Sequence, residues 1–158
     1  LGLYTKLGFN VREPLANLQG QPLGLTIPNR IVRSVVEADL AACNQICYSI
    51  HGHDRAGELK GAVERGTATL VEYDGRVSGY ATEIGFFGHA VGENNEDLKA
   101  LIGAAKELAG SGFYVPMRNA ELLRWCLKHG LRIIQPETLM SLGLYNEPAG
   151  AFLPSALY

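Results

Sequence analysis

Two segments of this 158-residue chain repeat one another at a constant separation of 122 positions (130 − 8 = 122). The first reads LYTKLGFNVREP and the second WCLKHGLRIIQP, with identical residues at three places: Lys6 and Lys128, Gly8 and Gly130, Pro14 and Pro136. A glycine after a helical run commonly caps a helix, and a proline commonly interrupts a strand. Each segment therefore predicts a helix end, a glycine cap and a strand, and we expect the first strand to stop at Pro14.

The composition restricts the class of protein without naming an activity. Hydrophobic residues are 47% of the chain and charged residues 19%, as in a globular domain. The net charge of −2 gives no global attraction to nucleic acid or to an anionic membrane, so we expect neither as a partner. No apolar run approaches the roughly 18 residues of a membrane span. Three cysteines without small-scaffold spacing favour reduced thiols in a cytoplasmic protein.

The region between the first repeat and Ile31 has no regular hydrophobic period. Residues 15–30 read LANLQGQPLGLTIPNR, and their two prolines and two glycines predict a linker. Because the chain starts at Leu1 instead of Met, we also expect it to be part of a longer polypeptide.

From Ile31 onward, strand and helix signals alternate. A short strand precedes a helix over 37–51, and Asp54 can cap a second helix that ends at Gly66. Asp74-Gly75 lies between two apolar runs and predicts a β-hairpin. Further helices follow Asn94 or Asn95 and Asn119, with strands around 112–116, 131–144 and 151–153. The predicted order, β-α-α-β-β-α-β-α-β-β, implies neighbouring parallel strands joined by a crossover helix.

This order, together with the phrase LYTKLGFNV, resembles the GNAT superfamily of acyl-CoA-dependent N-acyltransferases, whose last helix often ends in Leu-Tyr-x-x-x-Gly-Phe before a strand. The stretches HGHDRAGEL and FLPSALY also resemble the C-terminal half of bacterial tandem GNAT proteins. The resemblance implies a GNAT-type α/β fold, a mixed twisted sheet with helices on both faces. It implies three parts: residues 1–14 as the tail of a preceding GNAT domain, 15–30 as a linker, and 31–158 as a GNAT-like domain.

The resemblance also implies acetyl-CoA as cofactor, with its pyrophosphate on a glycine-rich loop at a helix N-terminus. The corresponding segment, FFGHAVGENNEDL at residues 86–98, lacks the family's usual Arg/Gln-x-x-Gly-x-Gly/Ala order. The candidate cofactor-binding residues are Gly88, Ala90, Val91, Gly92, Asn94 and Asn119.

Charge in this segment opposes the cofactor. Glu93, Glu96 and Asp97 cluster where an anion should bind. Each carboxylate at about 4–6 Å from a pyrophosphate would cost about 1–4 kcal/mol. We therefore expect a degraded CoA loop in this copy, with catalysis chiefly in the preceding domain.

Acid–base chemistry has two candidates for the base and no clear acid. Glu83 lies on the predicted strand before the loop, where the family often has a carboxylate, and His89 lies within the loop. Each of these two residues could equally be a solvated surface residue without a catalytic role. The family's catalytic tyrosine on the last helix corresponds here to Cys126, which we expect to pack in the core.

For the acceptor, the resemblance points to the loop between the first two helices and to a turn late in the chain. The candidate substrate-binding residues are His51, Asp54, Arg55 and Tyr145. Asp54 also suits a helix cap. Cys43, Cys47, His51 and His53 invite a metal interpretation, but they spread too far along one helix for a single tetrahedral ion, so we predict no metal site.

Three functions remain open on the sequence. The first is the C-terminal, acceptor-shaping domain of an acetyl-CoA-dependent N-acetyltransferase, whose acceptor is a small-molecule or peptide amine. The second is an active acetyltransferase domain with a divergent phosphate loop. The third is a non-catalytic module that forms a homodimer.

Overall fold

The computed structural model describes residues 1–156. The strands of this part of the chain form two antiparallel sheets. The helices are α1 (Gly2–Lys6), α2 (Leu40–His51), α3 (Ala56–Arg65), α4 (Asn95–Ala104) and α5 (Ala120–Lys128), with a 3-10 turn at Glu37–Asp39. The strands are β1 (Asn10–Gln19), β2 (Ile31–Ser34), β3 (Thr69–Tyr73), β4 (Arg76–Ala81), β5 (Ala90–Gly92), β6 (Phe113–Pro116), β7 (Arg132–Ser141) and β8 (Ala151–Leu153).

The larger sheet has five strands in the order β2-β3-β4-β5-β8. Its first hairpin turns at Asp74-Gly75, where φ is +49° and +73°, as a two-residue hairpin turn requires. The predicted hairpin and the predicted strand at 151–153 are both confirmed. The sheet gains β5 in addition, in a segment that we expected to be loop.

Helices cover both faces of this sheet because its strands alternate. Leu70, Tyr80, Val91 and Phe152 face one way, onto a core shared with α2 and α3. Val71, Ala81, Ala90 and Leu153 face the other way, onto a core shared with α4 and α5. The predicted α/β class, with helices on both faces of a sheet, is confirmed.

The smaller sheet has the order β6-β1-β7, so β1 lies between two strands from the far end of the chain. The expectations that β1 stops at Pro14 and that residues 15–19 are irregular were wrong. Pro14 lies within the strand and has no N–H to donate, but its carbonyl accepts from the Met117 backbone N–H at 2.9 Å. Leu15, Ala16, Asn17 and Leu18 are all buried, so a middle strand covered on both faces shows no alternation. The division of the chain into a preceding-domain tail (residues 1–14), a linker (15–30) and a GNAT-like domain (31–158) remains a prediction.

The expectation of neighbouring parallel strands was also wrong. Within residues 1–156 every ladder between named strands is antiparallel, and the only parallel pairing is an isolated bridge between Gly85 and Ala109. The strands on either side of α4 are not neighbours, because β8 pairs with β5 and β1 pairs with β6.

No helix in the described part of the chain combines the length and apolarity needed to cross a bilayer.

Candidate functional site

The segment predicted to hold a pyrophosphate is a buried strand followed by a very short connection. Ala90, Val91 and Gly92 form β5, with the side chains of Ala90 and Val91 fully buried in the sheet. Only Glu93 and Asn94 separate β5 from α4. The two glycines serve contacts within the chain: a Cβ on Gly88 would overlap the Glu83 carbonyl oxygen, and one on Gly92 would lie 2.7 Å from Asp97 Cβ.

The chain's own side chains cap the N-terminus of α4. Asn94 Oδ1 accepts from the Glu96 amide at 3.0 Å, and Asp97 Oδ2 accepts from the Asn94 amide at 3.2 Å. The Asp97 amide bonds to the Asn94 carbonyl at 3.2 Å. This reciprocal capping box satisfies amide groups that would otherwise be available to an anion at a helix start.

Asp97 also places a buried negative charge at this point. Its side chain is 0% exposed, and its Oδ1 accepts from Arg30 Nε at 2.7 Å and from Ser78 Oγ at 2.8 Å. The Arg30 guanidinium lies 3.9 Å from the centre of the Tyr73 ring, which fixes its position. The positive charge of Arg30 is therefore neutralised internally by Asp97.

An exposed ion pair adjoins this cap. Glu93 accepts from Arg76 at 2.5 and 2.8 Å, and this hydrogen bonding holds the pKa of Glu93 below its usual value. The carboxylate of Glu93 is therefore ionised at neutral pH, beside the buried carboxylate of Asp97.

The first turns of α4 and α5 are tied together. Asn95 and Asn119 exchange amide hydrogen bonds at 3.0 and 2.8 Å, and Asn119 Oδ1 also accepts from the Leu122 amide as a helix cap. Lys99 Nζ bridges Glu96 at 2.5 Å and Glu121 at 2.7 Å. The Asn119 side chain, a predicted cofactor ligand, is thus bonded within the protein. The residues present here do not fit a pyrophosphate.

The structure brings together two predicted site residues, His51 and His89. Their Nε2 atoms lie 3.0 Å apart, and the side chains are 1% and 0% exposed. Burial lowers the pKa of His51 to about 4 and the pKa of His89 well below its usual value. Both rings are therefore neutral at pH 7, and one donates its Nε2–H to the other. His89, predicted as a base, is closed to solvent.

The other predicted acceptor residues make contacts of their own, apart from the hydrogen bond between the two histidines. Asp54 is exposed, and its Oδ1 accepts from the Ala56 amide at 3.1 Å at the start of α3, close to the cap that we predicted. Arg55 Nε pairs with Glu58 at 2.6 Å. Tyr145 packs beside Leu15, Tyr114 and Leu139, under the Arg12 guanidinium.

Glu83, the other predicted base, lies at an open cleft. The cleft has a volume of about 350 Å³ and lies between the ends of β2, β4 and α4. No hydrogen bond or ion pair of the Glu83 carboxylate occurs within residues 1–156. The polar side chains that line the cleft are Ser34, Thr67, Thr69, Glu83, Lys106 and Glu107. His89 does not line it, so the two predicted bases do not converge.

Sequence reasoning missed Arg30 as a partner of Asp97 and missed the meeting of His51 with His89. Arg30 ends a stretch that was taken for a linker, and each pair joins residues far apart in the chain. The core position of Cys126 was predicted and is confirmed, because its side chain is 0% exposed. Burial raises the pKa of its thiol to about 12. No group of three potential metal ligands occurs among the described residues.

Comparison with known proteins gives a likeness in structure alone. No family model matches the chain, and no curated protein matches it. Among solved structures, it is similar to a protein from Pyrococcus horikoshii described as "A Putative Acetyltransferase", with a TM-score of 0.69 and 17% identity. The match covers 92% of this chain and 50% of that one, so the chain spans about half the length of this neighbour. The chain has an acetyltransferase-like α/β fold.

Proposed function

We propose that this chain is the C-terminal half of an acetyl-CoA-dependent N-acetyltransferase made of two units of one fold, and that this half does not itself hold acetyl-CoA. The acetyltransferase-like fold, the internal repeat and the greater length of the structural neighbour, of which the match covers 50%, support the two-unit assignment. The cofactor-holding site belongs to the other unit.

The observation that carries the proposal is the buried carboxylate of Asp97 at the start of α4. A pyrophosphate at this helix would lie beside the carboxylates of Asp97 and Glu93, each of which repels an anion by up to about 1–4 kcal/mol to the extent that its arginine does not offset the charge. Arg30 and Arg76 already pair with these two groups. Neither arginine is therefore available to neutralise a pyrophosphate at this helix.

Calorimetric titration of this chain with acetyl-CoA and with free CoA tests the proposal. We expect no saturable heat at cofactor concentrations up to about 1 mM, which corresponds to a dissociation constant no tighter than about 1 mM. Saturation in the micromolar range would refute the proposal.

For the contribution of this half, the cleft beside Glu83 is the best-supported place. The cleft is lined by the carboxylates of Glu83 and Glu107, the ammonium of Lys106 and the hydroxyls of Ser34, Thr67 and Thr69. Its two carboxylates and three hydroxyls can accept hydrogen bonds from the ammonium group of a small-molecule or peptide amine. In the full-length enzyme we expect Glu83→Gln to raise the KM for the amine with little change in kcat. Glu64→Gln, at an exposed position on α3, is the control. Equal KM values for the two variants would remove the cleft from the acceptor site.

The accessibility of Glu83 also favours a second candidate function, an active acetyltransferase domain with Glu83 as base. In that case the isolated chain acetylates an amine and Glu83→Gln abolishes the reaction. A chain without acetyl transfer, or one whose turnover is unchanged in the variant, would exclude Glu83 as its base.

A further inference from the structure

The sequence repeat is also a repeat of backbone structure with the same offset of 122 positions. Helix α1 ends at Lys6 and α5 ends at Lys128. The glycines that follow, Gly8 and Gly130, both have φ of +93°. Strand β1 spans Asn10–Gln19, and β7 spans the equivalent residues Arg132–Ser141. Two copies of one helix–glycine–strand unit are therefore present.

The two copies pair with each other about a local two-fold axis. Asn10 pairs with Ser141. When each residue is replaced by its equivalent in the other copy, this pair becomes Arg132 with Gln19, which is also a pair in the ladder. Leu15 pairs with Glu137, its own equivalent, so the axis passes beside these two residues. Every other pair in the ladder has its symmetric mate, and so do the two residues left out of register, Arg12 and Ile134. An isologous two-fold contact has this property.

The surroundings of the two strands do not share this symmetry. On its outer side, β1 pairs with β6 through Leu15–Leu18. The equivalent residues of β7, Glu137–Met140, pair with no other strand in the described part of the chain. Leu15, Ala16 and Leu18 are buried, whereas their equivalents Glu137, Thr138 and Met140 are not. Strand β7 thus has a free edge where β1 has a partner.

The helices show the same imbalance. Cys126 on α5 is 0% exposed in the core, whereas its equivalent on α1, Tyr4, is 52% exposed. No residue of α1 is buried. Leu142 lies beside the end of α1, 3.5 Å from where a Cβ on Gly8 would be. We call the exposed apolar residues of α1, of the start of β1 and of the segment after β7 the α1–β7 patch, which consists of Leu3, Tyr4, Leu7, Val11, Leu142 and Leu144. Leu144 is 100% exposed. Exposed apolar surface beside an unpaired strand edge marks an interaction site.

We propose that the α1–β7 patch and the free edge of β7 dock a second unit of the same fold, which precedes residue 1 in the same polypeptide. The strand of that unit equivalent to β6 pairs with Glu137–Met140 and extends the sheet across both units. The hydrophobic core of the second unit buries Tyr4, as the core of the unit described above buries Cys126. Each unit then supplies the other with one strand, since β1 completes the sheet of this unit and β7 completes that of its neighbour.

The geometry favours this occupant over a second copy of the chain. In a second copy, the β6 strand is already paired with its own β1. The two-fold axis instead calls for a strand that precedes α1 in the chain, as β6 precedes α5. That strand would pair with β7 as β6 pairs with β1. The structural neighbour, of which the match covers 50%, has room for such a unit. The inference rests on the two-unit part of the proposed function and is independent of which unit holds acetyl-CoA.

Hydrogen exchange of the β7 amides tests the proposal in the naturally expressed polypeptide and in the 158-residue chain. We expect peptides covering 137–140 to exchange at least about tenfold more slowly in the natural polypeptide, because strand pairing protects amides. Peptides from β4, the control, should exchange equally in both. Equal rates at 137–140, or a natural polypeptide that begins at residue 1, would overturn the proposal. A dimer of this chain with protected β7 amides would overturn it too, because the occupant would then be a second copy.

A substitution in the patch gives an independent readout. We expect Leu144→Lys to lower the urea midpoint of the natural polypeptide and to leave that of the 158-residue chain unchanged, since Leu144 is fully exposed in it. Tyr48→Lys, at an exposed position on α2, is the matched control and should change neither midpoint. A natural polypeptide insensitive to Leu144→Lys would contradict docking on this patch. None of these outcomes depends on cofactor binding.

Discussion

Arg30 Nε lies 2.7 Å from Asp97 Oδ1, and this buried ion pair joins the segment before β2 to the first turn of α4. The two residues are 67 positions apart in sequence. Through Asp97, the pair fixes the same turn that would receive a phosphate in a helix N-terminal anion site. Asp97 therefore contributes both to the stability of the fold and to the chemistry of the helix start where our proposal excludes acetyl-CoA.

Replacement of Asp97 by Asn should destabilise the fold strongly. The variant leaves Arg30 buried without a counter-charge, and the expected loss is about 3–5 kcal/mol in the free energy of unfolding. Urea denaturation followed by circular dichroism measures it. Glu93→Gln, which breaks the exposed pair with Arg76, should have a much smaller effect. Similar losses in the two variants would show that the Arg30–Asp97 pair contributes no more than a surface contact.

Acid should destabilise the protein through the buried histidines. The pKa of His51 is about 4 in the fold and 6.5 in the unfolded chain, so the unfolded state binds more protons between these values. Stability is therefore complete above pH 6.5 and falls as the pH is lowered towards 4, by about 3 kcal/mol for His51 alone. Denaturant midpoints across this range measure the loss.

The variant His51→Gln removes one of the two titrating rings and should reduce this pH dependence. His129→Gln, on an exposed ring beside Trp125, should leave the dependence as it is. A wild-type protein equally stable at pH 7 and pH 4.5 would contradict the buried, neutral state of the His51–His89 pair.

Substitution of Gly88 by Ala should also destabilise the fold, because the added Cβ overlaps the Glu83 backbone. We expect a loss of about 1–3 kcal/mol, the usual cost of overpacking. Gly57→Ala on α3 meets no neighbouring atom and should stabilise the protein by about 0.5–1 kcal/mol. Thermal melts compare the two. A neutral Gly88→Ala would mean that this glycine is retained for some reason other than packing.

Features set by local chemistry could be predicted from the sequence. The Asp74-Gly75 hairpin, the helix cap at Asn94 or Asn95 and the glycine after α5 each depend on a few adjacent residues; the structure confirms all three and selects Asn94 as the cap. The part of strand β1 after Pro14 was missed because burial on both faces removes alternation and because Asn17 interrupts the apolar run. The pairs Arg30–Asp97 and His51–His89 depend on contacts between distant segments, which periodicity does not reveal.

The most direct test of the central claim follows the backbone amide resonances of Asn94, Asn95, Glu96 and Asp97 while CoA is added to the 158-residue chain. We predict that these resonances do not move in a saturable way, because the amides of Asn94, Glu96 and Asp97 are hydrogen-bonded within the capping box and lie beside the carboxylates of Glu93 and Asp97. Saturable shifts of these resonances would show that α4 accepts the diphosphate, and would contradict the claim.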